Sequence, residues 1–262
     1  MKPAIPQLKS FENVKTLGYA FQKMYENYPQ KAVNDVIDEF TLMRIERESK
    51  QELKSEYSLN GDICLAYIAF FRGDVDDSLN LFKKVADYNF NGIEVYLTIL
   101  SHLAKFKLYE KELIRFSSTL RDNLLYMPLV SWFAFSGDIE NMNELLDEMS
   151  KKQFKFDVVN FFKKEFLLFE SLLSDKSVSI EEYKKIRKYM IRVLENNQVD
   201  FSGQNIPTCD SFIVLTRVDA DPDVISNLNS ELSVLMAEDD SLSFKLTAGF
   251  TSILPSYGVI LE

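Results

Sequence analysis

One histidine, two cysteines and a run of alternating aspartates are the residues of this chain from which chemistry could be built. His102 lies in the run Ile99-Leu100-Ser101-His102-Leu103. A nucleophile–histidine relay would have to use it. Its apolar neighbours make a hydrogen-bonded packing residue on a helix the plainer reading. One histidine with Cys64 and Cys209 falls short of the four nitrogen and sulfur ligands of a structural zinc site. The run Asp219-Ala220-Asp221-Pro222-Asp223 has the alternation of a calcium loop. Such loops also need glycine at the sixth place and glutamate at the twelfth, and Val224 and Ser230 stand there. Capping of a helix that starts at Pro222 accounts for Asp221 and Asp223 without a metal. Magnesium held by Asp219, Asp221 and Asp223 is the one enzymatic alternative. No glycine-rich phosphate loop or dinucleotide fingerprint is present, and no cofactor is expected.

Charge narrows the choice of partners. The 262 residues carry a net charge of −10, spread unevenly. Residues 61–150 hold eight basic and fourteen acidic groups, and residues 201–262 hold two and nine. Such a chain repels phosphate backbones, which disfavours nucleic acid as a partner. The basic stretch Lys184, Lys185, Arg187, Lys188 and Arg192 precedes the acidic tail. It reads as a solvated helix face, or as a surface that docks against that tail or an acidic partner. Two cysteines make no disulfide framework, so a reducing compartment is expected. The first residues lack a hydrophobic signal core, and no apolar run reaches the roughly 20 residues of a membrane span. A cytoplasmic protein, with no membrane partner, is the expectation. The 21 Phe and 12 Tyr suit wide gaps between helices.

The elements that must position these residues are mostly helices. Val14, Leu17, Phe21 and Met24 recur at helical spacing after Ser10, which can cap. Asn60-Gly61-Asp62 reads as a stop and restart. Phe71-Arg72-Gly73-Asp74 and Phe135-Ser136-Gly137-Asp138 repeat one pattern. An apolar helix ends at a glycine suited to a left-handed cap, and the aspartate caps the next helix. Between them a helix pair is expected to turn at Lys107-Leu108. The offsets of 34 from Leu79 to Leu113 and 30 from Lys107 to Gly137 suit a two-helix repeat. Residues 157–173 are apolar on nearly all sides and read as an inner helix. Ser179 caps a helix reaching about Asn196. Beyond 196–210 the period changes. Strands are expected at 212–215, 244–250 and 257–261, with a helix after Pro222.

On Ala66, Ala69, Ser78 and Phe82, residues 62–150 resemble the tetratricopeptide family, without its first-helix tryptophan or its closing proline. The stretch from Gly137 to Asp157 is similar, more weakly, to the RNA-binding pentatricopeptide family. The expected fold is mainly α: an array of antiparallel helical hairpins over residues 1–200, a tetratricopeptide-like solenoid. A small β-α-β-β module over residues 205–262 packs on its end. The resemblance implies a non-enzymatic protein–protein interaction module, acting as an adaptor, an assembly chaperone or an immunity-type inhibitor. Its partner would be a protein, basic if acidic residues guide it. Candidate contact residues are Asp74, Asp76, Asp77, Asp138 and Glu140 at the hairpin turns, with Lys184, Lys185 and Lys188. An RNA-binding repeat protein is the other alternative.

Overall fold

A computed structural model describes residues 6–24, 32–55, 59–152, 159–160, 163, 171, 174, 178–200, 213–218, 220–243 and 245–252. The expected inner helix at 157–173, the third strand at 257–261, Asp219 and Cys209 lie wholly or largely outside them. The described residues form eleven helices and one two-stranded sheet. The chain divides into two compact units, residues 1–99 and 100–262.

The first unit holds α1 (Pro6–Met24), α2 (Val33–Val36), α3 (Glu39–Ser55), α4 (Leu59–Phe71), α5 (Val75–Tyr88) and most of α6 (Phe90–His102). α1 starts at Pro6, four residues before the expected cap, because proline presets the first helical turn. Ser10 instead lies buried inside the helix, its hydroxyl accepting a hydrogen bond from Asn60 Nδ2 at 3.2 Å. Asn60-Gly61-Asp62 does not interrupt a helix either; it forms the first turn of α4. A Cβ at Gly61 would sit 3.1 Å from the Leu53 side chain, so this glycine lets α4 approach α3. α4 is apolar all round and almost wholly buried. Its Tyr67 meets Phe82 of α5 edge-on at 4.9 Å, and Phe70 meets Phe21 of α1 at 5.0 Å. Asp62 and Lys84, 3.6 Å apart, join the ends of α4 and α5 far from their turn, so the pair is antiparallel. Arg72 ties that turn to Glu46 of α3 at 2.8 Å.

Cys64 sits in this core, as expected. Burial pushes its thiol up to about 12, against the weak opposing pull of a hydrogen bond with Ser49. It is a packing residue with no thiolate at neutral pH.

The second unit holds α7 (Phe106–Asp122), α8 (Met127–Ser136), α9 (Ile139–Lys151), α10 (Ile180–Asn197), β1 (Ile213–Arg217), α11 (Pro222–Ala237) and β2 (Thr247–Thr251). Trp132 of α8 packs 5.2 Å from Tyr109 and 5.8 Å from Phe135. β1 and β2 pair in parallel, from Ile213 opposite Thr247 to Arg217 opposite Thr251. α11 makes the crossover that parallel strands require. Asn229 of α11 serves both backbone groups of Phe250, accepting from its N–H at 2.7 Å and donating to its carbonyl at 3.1 Å.

Gly73 and Gly137 take the left-handed conformation, φ +85° and +74°. Asp74 and Asp138 cap α5 and α9 by accepting from the Asp77 and Asn141 N–H groups. The same closure also occurs without glycine. Ala104 (φ 49°), Leu124 (φ 58°) and Gln198 (φ 54°) end α6, α7 and α10. The turn expected at Lys107-Leu108 therefore lies at Ala104-Lys105, and Lys107 is already inside α7. In each case the N–H one residue further on reaches back five residues: Lys105 to Leu100, Leu125 to Leu120 and Val199 to Leu194.

Candidate functional site

α10 is where the second unit gathers its charge. Ser179 caps it through the Glu182 N–H at 3.0 Å. Tyr183, Ile186, Met190, Val193 and Leu194 bury one stripe of it, and that stripe sets where its basic residues point. Arg187 belongs to the buried stripe, against the sequence expectation of a solvated row. Lys185 lies on one flank, 2.6 Å from the Asp239 carboxylate and 2.6 Å from the Ser241 hydroxyl. Tyr189 donates to the same carboxylate at 2.6 Å. Lys185, Tyr189 and Ser241 hold Asp239 well below the usual carboxylate range. Glu182 accepts from the backbone N–H and hydroxyl of Ser243, each at 2.7 Å. This flank of α10 is committed to docking the acidic C-terminal region.

The other flank opens on a cleft of about 570 Å³ between α10, α8 and the start of α7. Phe106, Trp132 and Ile191 form its apolar part. Trp132 is only 3% exposed, so it shows the cleft an edge and no full face. Lys184, Lys188 and Arg192 follow one another at one-turn spacing along the rim, and Lys107 faces them from α7. Three carboxylates share the cleft: Glu110, Asp138 and Glu195. Two are already bonded. Asp138 lies 3.6 Å from Lys184 while it caps α9. Glu195 accepts the Lys107 N–H at 2.8 Å and lies 3.7 Å from its ammonium. That contact supplies the N-terminus of α7 with the anion its dipole favours, where the capping residue Lys105 gives no side-chain bond. The Ser136 hydroxyl is shielded from solvent in the cleft wall and has no hydrogen-bond partner among the described residues.

The other candidate residues are placed as follows. Asp138, Lys184 and Lys188 come together at the cleft. Glu140 is exposed in the first turn of α9. Asp74, Asp76 and Asp77 are exposed at the start of α5, in the first unit. Asp221 stands at the N-cap of α11 without making a side-chain cap bond. Sequence reasoning missed Trp132, Ser136 and Lys107 as cleft residues. The one-turn spacing of Lys184, Lys188 and Arg192 marked one side of the cleft, and no signal in the sequence marked the wall that faces it.

His102 ends α6 with Nδ1 2.8 Å from Asp200 Oδ2, and Ser101 donates its hydroxyl to Asp200 Oδ1 at 2.8 Å. The serine proton thus points to the carboxylate and not to the imidazole. A relay for nucleophilic attack needs the opposite order, so this group instead ties Ser101 and His102 to Asp200 within the second unit. Among the described residues, no three His, Cys, Asp or Glu side chains converge as a metal site, and no helix is long and apolar enough to cross a membrane. Comparison of the chain with protein-family models, with curated proteins and with solved structures yields no match.

Proposed function

We propose that this chain is a non-enzymatic protein–protein interaction protein. It is a degenerate tetratricopeptide-like array of helical hairpins that works as an adaptor, and it holds its partner in the cleft between α7, α8 and α10. The observation that carries this reading is the composition of the cleft: apolar edges and a rim of cations in one concave place. A few anchoring side chains in a desolvated pocket are what dominate affinity at protein interfaces. The acidic residues at the hairpin turns support the reading less, since Asp74 and Asp138 are engaged in capping.

The test is affinity purification of the tagged chain from its native cell, with and without nuclease, beside a variant whose cleft is filled, Ser136→Phe. Capture of a stoichiometric protein by the wild type but not by the variant, unchanged by nuclease, is the expected result. Equal capture by both forms would remove the cleft from the function. A second reading has one observation in its favour. Lys184, Lys188 and Arg192 make a row that could follow an RNA backbone. Recovery of RNA, or loss of the partner on nuclease treatment, would put that reading first.

A further inference from the structure

Of the four cations around the cleft, two already have carboxylates: Lys184 has Asp138 and Lys107 has Glu195. Lys188 and Arg192 have none within 4 Å among the described residues, and both are exposed. They stand four residues apart on α10, so their heads are neighbours on one helical face. Glu110 is the facing carboxylate without a partner among the described residues, and it belongs to the α7 wall. The α10 side is thus cationic and the α7 side carries one free anion. Against a net charge of −10 for the chain, this is a local reversal of sign.

From this geometry we infer that the cleft receives an acidic segment of a partner protein. One apolar side chain of the segment seats against the Phe106, Trp132 and Ile191 edges. Its carboxylates lie between Lys188 and Arg192, away from Glu110. The inference rests on the interaction reading and gives that partner its chemistry: acidic, as one reading of the basic stretch allowed, and not the basic partner that the acidic hairpin turns suggested. A volume of about 570 Å³ holds a few side chains and not a folded domain, so the recognised element is a short segment. A basic segment would meet Lys188 and Arg192 head-on, and like charges brought together at an interface are strongly unfavourable.

The test uses the full chain and three labelled nonapeptides, read by fluorescence anisotropy. The first has a central Phe flanked by four Glu on either side. The second replaces every Glu by Lys, and the third replaces the Phe by Ser. The first peptide is expected to bind saturably. Its affinity should fall tenfold or more in the double variant Lys188→Glu/Arg192→Glu, and tenfold or more when Phe is replaced by Ser. Glu110→Gln should leave it equal or tighter. Circular dichroism of each variant confirms that the helices persist, since the altered side chains are exposed. The inference is overturned if the Lys peptide binds as tightly as the acidic one, or if the charge-reversed variant holds the acidic peptide unchanged. It also falls if no peptide binds while the purified partner is still lost from Ser136→Phe; in that case the interaction reading survives. Retention of the partner by Ser136→Phe would instead remove the cleft from the function, and this inference with it.

Discussion

Arg187 carries a full charge into the interior of the second unit, where no carboxylate of the described residues meets it; it is 1% exposed. Burial pulls its pKa down, yet a guanidinium stays protonated at any ordinary pH. What replaces a counter-ion is a set of dipoles. Nε donates to the Phe135 carbonyl at the C-terminal end of α8, where the helix dipole is negative. Nη1 donates to Thr216 Oγ1 of β1 at 2.8 Å, and the Phe135 ring lies 5.0 Å from the guanidinium. One side chain therefore joins α8, α10 and the sheet. Arg187→Ala should cost about 3 kcal/mol of stability, because it leaves a carbonyl and a hydroxyl buried and unpaired. Arg187→Lys should recover less than half of that, since a single ammonium cannot serve the forked geometry. Chemical denaturation of the three proteins measures both, and a loss within 0.5 kcal/mol for Arg187→Ala would show that the buried charge cancels its own bonds. The sequence held the clue: Arg187 sits in register with Tyr183, Met190 and Leu194, but its membership of a basic run suggested solvent.

At the scale of the element, glycine proved an unreliable guide in both directions. The two Gly-Asp hairpins were legible because glycine and aspartate each have a physical reason to stand at a helix junction. Gly61 and Gly92 resemble the same punctuation but lie inside helices. A Cβ at Gly92 would come within 2.6 Å of Val85, so close approach of α5 and α6 requires that glycine. Conversely, the closures at Ala104, Leu124 and Gln198 were invisible, since nothing in those residue types asks for a left-handed backbone. Tertiary contacts must hold them there against a cost of about 1–2 kcal/mol each. Likewise, the cleft was only half legible: spacing along α10 is a property of one helix, whereas its facing wall comes from long-range packing. Leu124, 49% exposed, offers the clean test, because little packing is lost with its side chain. Leu124→Gly should stabilise the protein by about 0.5–1 kcal/mol, the relief of strain exceeding the added freedom of the unfolded chain. Gly73→Ala should destabilise by about 1 kcal/mol through backbone strain alone, as its surroundings are open. Gly137→Ala should cost more, since its methyl would also meet the Tyr183 ring at 2.7 Å. Melting temperatures of the three variants order them, and a destabilised Leu124→Gly would show that this residue's packing outweighs its strain.

Over the whole molecule, two electrostatic effects compete as pH falls. The chain is strongly acidic, with an isoelectric point near 4.8, so titration from neutrality towards pH 5 removes self-repulsion. Opposing this are carboxylates that the folded state holds below their ordinary range. Arg72 and Lys50 hold down Glu46, Lys163 holds down Asp147, and Lys185 with Tyr189 holds down Asp239. Burial pushes Glu148 up, but hydrogen bonds from Lys152, Tyr126 and Arg121 outweigh it and leave the group lowered. A depressed carboxylate gives stability that is present above its unfolded pKa, near 4. That stability is lost as pH falls through the folded value. The melting temperature should therefore be level or rise slightly from pH 7 to 5, and fall steeply below about pH 4. Glu148→Gln separates the two effects, because it removes a bonded carboxylate while lowering the net negative charge. It should melt below the wild type at pH 7, and the difference should shrink as pH falls through the lowered folded value and Glu148 becomes protonated in both states. If the variant instead melts higher at pH 7, relief of net charge outweighs the three hydrogen bonds, and self-repulsion governs the stability of this chain.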